Sequence, residues 1–384
     1  MLETNREMSK KVLVTGGAGF VGSHLVDGLL AAGHAVRVLD NFTLQVHGHH
    51  TPDYLSKEAE VISGDIRDQL AVHRAIEGIE VVFHMAAAVG VGQSMYEISR
   101  YIDVNTRGTA ILLQELLDRR SERGNKVEKL IVASSMSIYG EGQYVCASSG
   151  KDESPALRPL ESLKKRHWEP ACPECGGTLQ AVPTTELKPL QCSSIYALSK
   201  KDQEEMCLLY GRTYDLPVVA LRYFNIYGSR QALSNPYTGV AAIFASRLLN
   251  GKPPLLFEDG NQLRDFVSVQ DVVQANLLAM ESSCADGRAI NIGSGEPISI
   301  RAMADQLSEA LEISVPSVLT GRYRAGDIRH CFADISAARQ LLGYKPKVSL
   351  SEGIVSLAEW LRSQNPQDRM VEAEAQLSYH RLTA

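Results

Sequence analysis

Short apolar runs alternate with longer amphipathic stretches along the first two thirds of the chain. The runs predict strands near residues 11–15, 35–39, 60–63, 80–84, 129–134 and 217–222. Between them, apolar residues recur every three or four positions, which indicates helices with one buried face. Strands that alternate with helices in this way predict an α/β fold built on a parallel, doubly wound sheet.

The first predicted strand leads into a glycine-rich turn. Gly16, Gly19 and Gly22 follow strand 11–15 directly, and helical apolar spacing begins beyond them. Glycines let a backbone approach a pyrophosphate closely, and the next helix offers free N–H groups at its N-terminus. The second strand ends on Asp40, whose carboxylate can accept hydrogen bonds from ribose hydroxyls and would repel a 2′-phosphate. The pattern therefore favours NAD over NADP.

Two further segments supply groups suited to proton transfer. Tyr196 and Lys200 lie four residues apart in a stretch with helical spacing, so their side chains share a face. A nearby ammonium would stabilise a phenolate and lower a tyrosine pKa that is ordinarily about 10. Strand 129–134 delivers Ser134 and Ser135 at its carboxyl end, where open α/β sheets bind ligands. Taken singly, the Tyr196 and Lys200 spacing is more typical of a solvated helix face, and the serine pair is more typical of a strand-end turn.

Together and in this order, the motifs resemble the extended short-chain dehydrogenases/reductases, within the NAD-dependent nucleotide-sugar epimerase/dehydratase group. The resemblance runs from about residue 10 to about residue 360. It implies a Rossmann domain, a smaller α/β lobe that binds the sugar nucleotide, and bound NAD. The NAD-binding domain is expected at 10–223, with an insert at 141–193. The second lobe is expected at 224–362, with about 266–292 returning to the first domain. Residues 363–384 are expected to form a polar tail or an added helix.

The resemblance also implies a role for each matching residue. The implied catalytic residues are Ser135, Tyr196 and Lys200. The implied NAD-binding residues are Gly16, Gly19, Phe20, Val21, Gly22, Asp40, Asn41, Asp65, Ile66, Met85, Ala86, Ala87, Asn105, Ser134, Tyr196, Lys200 and Tyr223. The implied substrate-binding residues are Gln93, Ser94, Ser135, Ser137, Asn225, Gln231, Asn235, Arg264, Arg324 and Asp327. Guanidinium groups suit a diphosphate because they form paired, charge-assisted hydrogen bonds.

The residues after the serine bear on the reaction. In the 4,6-dehydratases of the family an acidic pair follows the catalytic hydroxyl, whereas Met136 and Ser137 follow Ser135 here. Neither exchanges protons as a carboxyl group does, so the sequence argues against dehydration. The resemblance then implies a C4 epimerase, in which Tyr196 takes the proton of the sugar 4-hydroxyl. A 4-keto sugar forms and hydride returns to its other face, without net redox.

The sugar is indicated by a narrower likeness. Stretches 87–96, 134–142 and 228–239 are similar to bacterial enzymes that convert dTDP-L-rhamnose into dTDP-6-deoxy-L-talose. Sugar specificity depends on few pocket contacts, so a UDP-hexose 4-epimerase and an NDP-4-keto-sugar reductase remain alternatives. A non-catalytic dinucleotide sensor is a third alternative, although such a protein needs no intact proton-transfer set.

The predicted insert contains four of the seven cysteines. A Cys-x-x-Cys pair followed by glycines lies within it, and two thiolates at this spacing can bind one Zn²⁺. Ser149 stands where a further cysteine would be expected, so free thiols are an equal alternative and a redox pair a third. The insert lies between two catalytic elements and is also a candidate lid. The candidate ligands of a structural zinc are Cys146, Cys172, Cys175 and Cys192.

Composition limits the classes of partner. The chain has 384 residues, of which 44% are apolar, and a net charge of −6 without a basic stripe, which argues against nucleic acid. Its N-terminus mixes acids and bases and no apolar run approaches bilayer length, so neither a signal peptide nor a membrane span is expected. The cysteine content favours a reducing cytoplasm. The resemblance implies a homodimer paired through the helices after Asn105 and Tyr196, although the leucines after Asn105 fit a core equally well.

Overall fold

The computed structural model describes residues 9–121, 127–324 and 326–383. The helices are α1 (Phe20–Ala31), α2 (Leu44–His47), α3 (Gln69–Ala75), α4 (Val91–Ser94), α5 (Ile98–Tyr101), α6 (Gly108–Asp118), α7 (Leu160–Lys164), α8 (Ile195–Tyr214), α9 (Val240–Leu249), α10 (Val269–Glu281), α11 (Ile300–Ala310), α12 (Ser336–Leu342), α13 (Leu350–Leu361) and α14 (Met370–Tyr379). A π-helical segment (Ile102–Arg107) joins α5 to α6, and 3-10 turns lie at Arg119–Ser121 and Met136–Tyr139.

The strands are β1 (Lys11–Thr15), β2 (Ala35–Asp40), β3 (Glu60–Ser63), β4 (Val81–His84), β5 (Lys129–Ser135), β6 (Gln143–Cys146), β7 (Asp152–Glu153), β8 (Leu179–Val182), β9 (Val218–Tyr223), β10 (Asn225–Tyr227), β11 (Leu255–Leu256), β12 (Leu263–Ser268), β13 (Arg288–Ile292), β14 (Pro297–Ser299), β15 (Val318–Leu319) and β16 (His330–Cys331). Each of the six strands predicted from the apolar runs is present within one residue at either end.

Seven parallel strands form the central sheet, in the order β13-β9-β5-β4-β1-β2-β3. The chain extends the sheet in one direction from β1 to β3 and then in the other direction from β4 to β13. The expected doubly wound α/β sheet is therefore confirmed. Its order reverses between β1 and β4, which is where such sheets open a crevice for ligands at their carboxyl ends.

Helices cover both faces of this sheet. Along β1, Val12 and Val14 pack with Leu25 on the face covered by α1 and α10, whereas Leu13 packs with Leu112 on the face covered by α3, α6 and α8. Strands buried on both faces need apolar residues at successive positions, which explains the continuous apolar runs of the sequence. Leu112 belongs to this core, as do neighbouring leucines of α6.

The remaining elements form a smaller layer. Strands β10, β12, β14 and β16 make a second sheet, and α9, α11 and α13 pack around their own apolar cluster. One segment between the elements of this layer returns to the large sheet. In residues 269–292, α10 packs against α1 and β13 pairs with β9. The division into domains at 223 and 224 stays a prediction.

The insert forms a small antiparallel sheet in the order β7-β6-β8. Its apolar cluster consists of the buried residues Tyr144, Cys146, Cys172 and Leu179, with Ala181 packed against them. This cluster is separate from the three large ones and very small for a segment of this length.

The chain beyond residue 363 is not a loose polar tail. It ends in α14, whose residues Met370, Ala373 and Leu377 are buried at the spacing of one helical face. The preceding Asp368 forms an ion pair with Arg247 on α9 at 3.3 Å. Of the two alternatives expected for residues 363–384, the structure shows the added helix. Within the described ranges, no helix combines the length and apolar character that crossing a bilayer requires.

A buried ion pair ties α8 to the sheet. Arg222 on β9 donates to both carboxylate oxygens of Glu204, at 3.0 and 2.5 Å, and Ser134 Oγ donates to the same carboxylate at 2.6 Å. All three side chains are buried. A buried charge pair stabilises a fold only while both partners remain, because a single charge left behind pays the full desolvation cost.

We expect Glu204→Ala to lower the free energy of unfolding by about 3–5 kcal/mol, because the Arg222 charge would be left buried and unpaired. The matched control is Glu205→Ala on the same helix, which removes an exposed pair with Lys201 and should cost roughly 0.5 kcal/mol or less. Urea midpoints of both variants provide the measurement. Equal midpoints would show that the buried pair does not fasten α8.

Candidate active site

A cavity of about 800 Å³ opens at the carboxyl ends of the central strands and extends between the two layers. Its volume lies in the range of sites that enclose small molecules and cofactors. Residues of the glycine-rich turn, the end of β5, the start of α8 and the second layer all line it. One cavity thus brings together most of the residues predicted for cofactor, chemistry and substrate.

The glycine-rich turn has no room for side chains. Gly16 has φ +68°, and a Cβ added there would lie 2.8 Å from the Ala86 nitrogen. A Cβ added to Gly22 would lie 2.2 Å from the Gly16 oxygen. The turn therefore packs closely against β4 and α1, with Gly19, Phe20 and Val21 at the N-terminus of α1 facing the cavity. This bare backbone cradle fits a dinucleotide pyrophosphate.

Asp40 lies where the ribose acid was predicted. Its two carboxylate oxygens accept hydrogen bonds from the backbone nitrogens of Ala18 and Phe42, at 3.0 and 2.9 Å. The residue is buried at the end of β2 and lines the cavity. Each oxygen retains a lone pair, so the held carboxylate fits the ribose hydroxyls of NAD.

The neighbouring adenine-side residues divide into lining and supporting groups. Asn41, Ile66 and Arg67 line the cavity, whereas Asp65 lies behind them and binds Arg67 at 2.9 Å and Asn41 at 2.8 Å. The hydrogen bond from Arg67 lowers the pKa of Asp65 to about 2. Arg67 was missed from the sequence, although it stands two residues from the predicted acid.

The end of β4 forms the floor of the cofactor region. Met85, Ala86 and Ala87 line the cavity as predicted. Asn105, in the π-helical segment, accepts from the Ala88 nitrogen at 2.7 Å and donates to the Ala88 oxygen at 3.0 Å. Asn105 is fully buried and does not line the cavity. It therefore holds the backbone of Ala88 in place and does not contact a ligand.

Ser135 and Tyr196 meet in the middle of the cavity. Tyr196 is the second residue of α8, which is capped by Ser194, and its hydroxyl lies close enough to Ser135 for that side chain to affect its pKa. Burial raises the pKa of Tyr196, and the hydrogen bond with Ser135 opposes that rise. Ser135 Oγ also accepts from Ser137, from its nitrogen at 3.2 Å and its hydroxyl at 2.9 Å. With both lone pairs engaged, the Ser135 proton remains free to be donated.

The Lys200 ammonium forms no hydrogen bond with Tyr196 in the described part of the chain, although their spacing predicts that the two groups lie close together. Its ammonium donates to the Ala133 carbonyl and, at 2.7 Å, to Gln203 Oε1. Gln203 in turn donates to Thr109 on α6 at 2.9 Å. Burial lowers the pKa of Lys200 to about 8, so the group is mainly protonated at neutral pH. Gln203 was missed from the sequence, and its position three residues after Lys200 was the available signal.

Two predicted cofactor residues use their side chains elsewhere. The Ser134 hydroxyl points to Glu204, so only the rest of the residue can face the cavity. Tyr223 lines the cavity, and its hydroxyl donates to Asn276 at 2.9 Å. Burial raises the pKa of Tyr223, which therefore stays neutral. Strand alternation explains the Ser134 outcome, because adjacent residues point to opposite faces.

Unpartnered polar atoms cluster on the second-layer side of the cavity. Asn225 Oδ1, Gln231 Oε1 and Arg324 Nε are buried and have no hydrogen-bond partner in the part of the chain that the structure describes. All three residues line the cavity, as does Asn235. Buried polar atoms are nearly always paired, so three orphans facing one cavity indicate that a polar ligand completes them.

Two arginines face the same region. The Arg324 guanidinium lies 4.2 Å above the Phe257 ring, and burial lowers its pKa. Arg264 donates to the backbone oxygens of Arg329 and Ile328, at 2.9 and 2.7 Å, and lies 3.6 Å from the Asp327 carboxylate. Arg264, Arg324 and Asp327 were predicted to hold the diphosphate and ribose, and all three line the cavity.

Gln93 and Ser94 do not line the cavity, although both were predicted to bind substrate. Gln93 is buried and accepts from Gln45 at 3.0 Å and from Tyr101 at 3.2 Å. Ser94 Oγ accepts from the Tyr196 nitrogen at 2.9 Å. Both therefore support lining residues from behind. Gln45, which the sequence did not reveal, faces the cavity instead and also donates to Asn235.

The C-terminal helix is a further part of the site that the sequence did not reveal. Met370, Ala373 and Leu377 of α14 line the cavity, and Leu382 lies just beyond them. The residues that face the cavity are apolar and follow helical spacing from 370 to 377. That spacing was the available signal, but the polar composition of the segment masked it.

The insert contributes little to the cavity. Among the described lining residues, the predicted insert 141–193 contributes its last residue, Ser193, and a lid role for the insert stays a prediction. Cys146, Cys172 and Cys175 form a cluster whose sulfur atoms all lie within 4.8 Å of one another. Cys192 is not part of it, because its thiol lies 3.8 Å from the Ile138 oxygen. Of the four predicted cysteine ligands, the structure thus brings three together and places Cys192 elsewhere.

The chain matches the NAD dependent epimerase/dehydratase family over residues 12–164 and 171–293. It belongs to this family. It is 35% identical to a dTDP-L-rhamnose 4-epimerase of Burkholderia thailandensis, over 92% of this chain and 95% of that protein. It is 32% identical to a putative UDP-glucose 4-epimerase of Methanocaldococcus jannaschii, over 92% and 99%. Membership confirms the expected enzyme class, the NAD-dependent nucleotide-sugar 4-epimerases.

Solved structures of the family share the fold. A UDP-glucose 4-epimerase of Thermotoga maritima, with UDP-glucose, superimposes with a TM-score of 0.74 at 32% identity and covers 92% of this chain and 98% of its own. A UDP-glucuronic acid 4-epimerase of Bacillus cereus, with UDP-glucuronic acid and NAD, gives a TM-score of 0.74 at 27% identity, with 92% and 99% covered. NAD dependence is thus a property of the family and agrees with the cradle and Asp40.

We expect Tyr196→Phe to reduce turnover of a nucleotide sugar about 10²–10⁴-fold, because the variant lacks the hydroxyl that exchanges the proton. Bound NAD should be retained, since the cradle is unchanged. Tyr214→Phe, at the far end of α8, is the matched control and should keep full activity. Turnover and the NAD released on denaturation are measured together. Unchanged turnover in Tyr196→Phe would exclude the tyrosine as the proton acceptor.

We expect Leu377→Ser to raise KM for the nucleotide sugar about tenfold, because it removes an apolar wall of the cavity. The control is Val371→Ser on the exposed side of α14, where the side chain is 68% exposed. Initial rates over a range of substrate concentrations, with thermal midpoints, separate binding from folding. The same KM in both variants and the wild type would exclude α14 from the substrate site.

Proposed function

We propose that the protein converts dTDP-L-rhamnose into dTDP-6-deoxy-L-talose by inverting C4 through a transient 4-keto sugar, with NAD bound throughout. The observation that carries the proposal is the position of Ser135 and Tyr196. They meet between a cradle that fits a dinucleotide and a wall of unpartnered polar atoms that fits a sugar nucleotide. Such a site serves hydride and proton exchange at a single carbon.

The mechanism begins with the Tyr196 oxygen. In the protein alone, burial keeps its pKa raised, so the phenolate needs stabilisation. The Ser135 hydroxyl can donate its hydrogen bond to that oxygen or to the sugar 4-oxygen. Lys200, on the same helix as Tyr196, adds a positive charge. NAD, held by the Gly16–Gly22 turn and the Asp40 carboxylate, would supply the hydride acceptor and donor for C4 and a positive charge that favours the phenolate. Tyr196 then returns the proton to the 4-oxygen after the keto sugar has turned over.

The surroundings of Ser135 support epimerisation over dehydration. Met136 is buried, and the Ser137 hydroxyl is used in holding Ser135. Among the described lining residues, the carboxylates are those of Asp40, at the ribose position, and Asp327, beside Arg264. In the part of the chain that the structure describes, neither carboxylate forms a hydrogen bond with Ser135 or Tyr196, which favours epimerisation over loss of water.

The lining near α4 supports a 6-deoxy sugar. Val89, Val91 and Met95 line the cavity and are 54%, 46% and 37% exposed. A 6-methyl group gains by contact with such residues, whereas the 6-hydroxyl of a hexose would lose hydrogen bonds to water there. The 35% identity to a dTDP-L-rhamnose 4-epimerase supports the same choice.

A UDP-hexose 4-epimerase is the second candidate, since UDP-glucose 4-epimerases are also among the relatives. An NDP-4-keto-sugar reductase would use the same pair but consume reduced cofactor, and a non-catalytic dinucleotide sensor would need no such pair.

We also propose a homodimer that pairs through α6 and α8 and lies in the cytoplasm. Exposed Leu198 and Leu209 on α8 support that pairing.

The purified protein, with no added cofactor, should convert dTDP-L-rhamnose into an equilibrium mixture with a second sugar. Proton NMR of the anomeric signals measures the conversion. The reaction needs no added NAD because hydride is returned within one cycle. UDP-glucose and UDP-galactose serve as parallel substrates.

The pattern of products decides among the candidates. Turnover of a UDP-hexose alone would replace the rhamnose assignment by the second candidate. Turnover of 4-keto sugars that requires stoichiometric NADH or NADPH would identify a reductase. Tight NAD binding without any turnover would favour the sensor.

A further inference from the structure

Two matching turns hold the thiol cluster of the insert. In the first, Cys146 is followed by Ser149 three residues later, and the Gly150 nitrogen donates to the Cys146 oxygen at 2.8 Å. In the second, Cys172 is followed by Cys175, and the Gly176 nitrogen donates to the Cys172 oxygen at 2.8 Å. The two glycines have φ +70° and +69°. The chain thus forms the same kind of turn twice, and the cysteines of the two turns lie next to one another.

A backbone N–H group points at the thiol cluster from the second turn. The Gly177 nitrogen donates to Cys175 Sγ at 3.4 Å. Backbone donors of this kind commonly support the ligands of a metal ion.

The spacing of the sulfurs fits one metal ion. Cys146 Sγ and Cys175 Sγ are 3.6 Å apart, and all three sulfurs lie within 4.8 Å of one another. Zn–S bonds of about 2.3 Å in a tetrahedron place sulfurs about 3.8 Å apart. A disulfide would need about 2.05 Å and would leave the third thiol unpaired. The three thiols therefore have the geometry of ligands that share one centre.

The insert also lacks an adequate apolar core. Its apolar cluster has four buried residues, and two of these are the cysteines Cys146 and Cys172. Segments of this size ordinarily need a disulfide or a metal, because too little surface is buried to offset the ordering of the chain. A metal that joins the two turns would supply that constraint.

We propose that Cys146, Cys172 and Cys175 bind one structural Zn²⁺, with the fourth position taken by the Ser149 hydroxyl or a water. Ser149 stands three residues after Cys146, as Cys175 does after Cys172, and its Oγ accepts a hydrogen bond from the Lys151 nitrogen at 3.3 Å. Glu153 accepts a hydrogen bond from Cys172 at 3.5 Å and lies next to the ligands. Three thiolates select zinc over the hard cations that prefer oxygen ligands.

The site also connects to the substrate side of the cavity. The strand β7, which pairs with β6, leads to Arg158, whose guanidinium donates to the Asp327 oxygen at 3.1 Å. Arg158 also pairs with Glu258 at 2.8 Å. Asp327 lines the cavity beside Arg264. The zinc therefore braces the loop that carries Asp327. This part of the proposal rests on the proposed function only for the identity of the substrate.

Metal analysis of the full-length protein tests the site directly. Protein produced in zinc-supplemented medium should contain about one zinc per chain. Cys172→Ser and Cys175→Ser should each reduce this content at least about tenfold, because they break the ligand set. Cys284→Ser, at an exposed thiol elsewhere, and Cys192→Ser, outside the cluster, should leave it unchanged.

Two measurements do not require the cysteine variants to fold. Wild-type protein refolded with Co²⁺ should show the thiolate charge-transfer and d–d bands of tetrahedral cobalt. Ser149→Cys should retain zinc against a chelator concentration at least about tenfold higher, because a fourth thiolate replaces an oxygen ligand.

Removal of zinc by a chelator should raise KM for the nucleotide sugar while the NAD content stays constant. Wild-type protein without zinc and without cobalt bands would overturn the proposal, as would zinc that Cys192→Ser removes but Cys172→Ser does not. Oxidation of two of the three thiols to a disulfide in metal-free protein would instead support the redox alternative. The metal readouts stand whichever sugar is the substrate.

Discussion

The site depends on the way α8 is fastened along the end of β5. Tyr196, Lys200 and Glu204 occupy successive turns of α8, and each reaches a residue of β5: Ser135, Ala133 and Ser134 respectively. A helix fixed at three successive turns can neither slide nor rotate over the strand. The hydroxyl pair that we propose exchanges the proton is therefore held by contacts that lie one and two helical turns away from it.

The same arrangement explains why Lys200 is not paired with Tyr196. An ammonium buried under α8 needs acceptors, and the Ala133 carbonyl and Gln203 provide them. Its charge then stays in place at neutral pH, because its pKa of about 8 lies above that pH. Lys200 thus fastens the helix and adds a positive potential to the site, and the rise in the Tyr196 pKa is opposed locally by Ser135.

Local motifs predicted more of the site than long-range contacts did. The glycine turn, Asp40 and the Tyr196 helix follow from a few neighbouring residues, so the sequence alone was sufficient for them. Gln93 depended on contacts with Gln45 and Tyr101, which only the folded chain brings together. The orientation of α14 and the exclusion of Cys192 likewise depend on packing between distant segments. The spacing at 370–377 indicates which face of α14 is apolar, but not which part of the fold that face covers.

The insert shows how a family member can add a segment without adding a hydrophobic core. Its sheet buries too few apolar side chains to order itself, yet Arg158 must be held rigidly to bond the Asp327 oxygen. A metal that links two tight turns fixes backbone positions within a few residues of its ligands, where an apolar core of the same stiffness would need many more side chains. The three cysteines are thus best understood as the support of a substrate-side loop, which places their role in binding and not in the chemistry at C4.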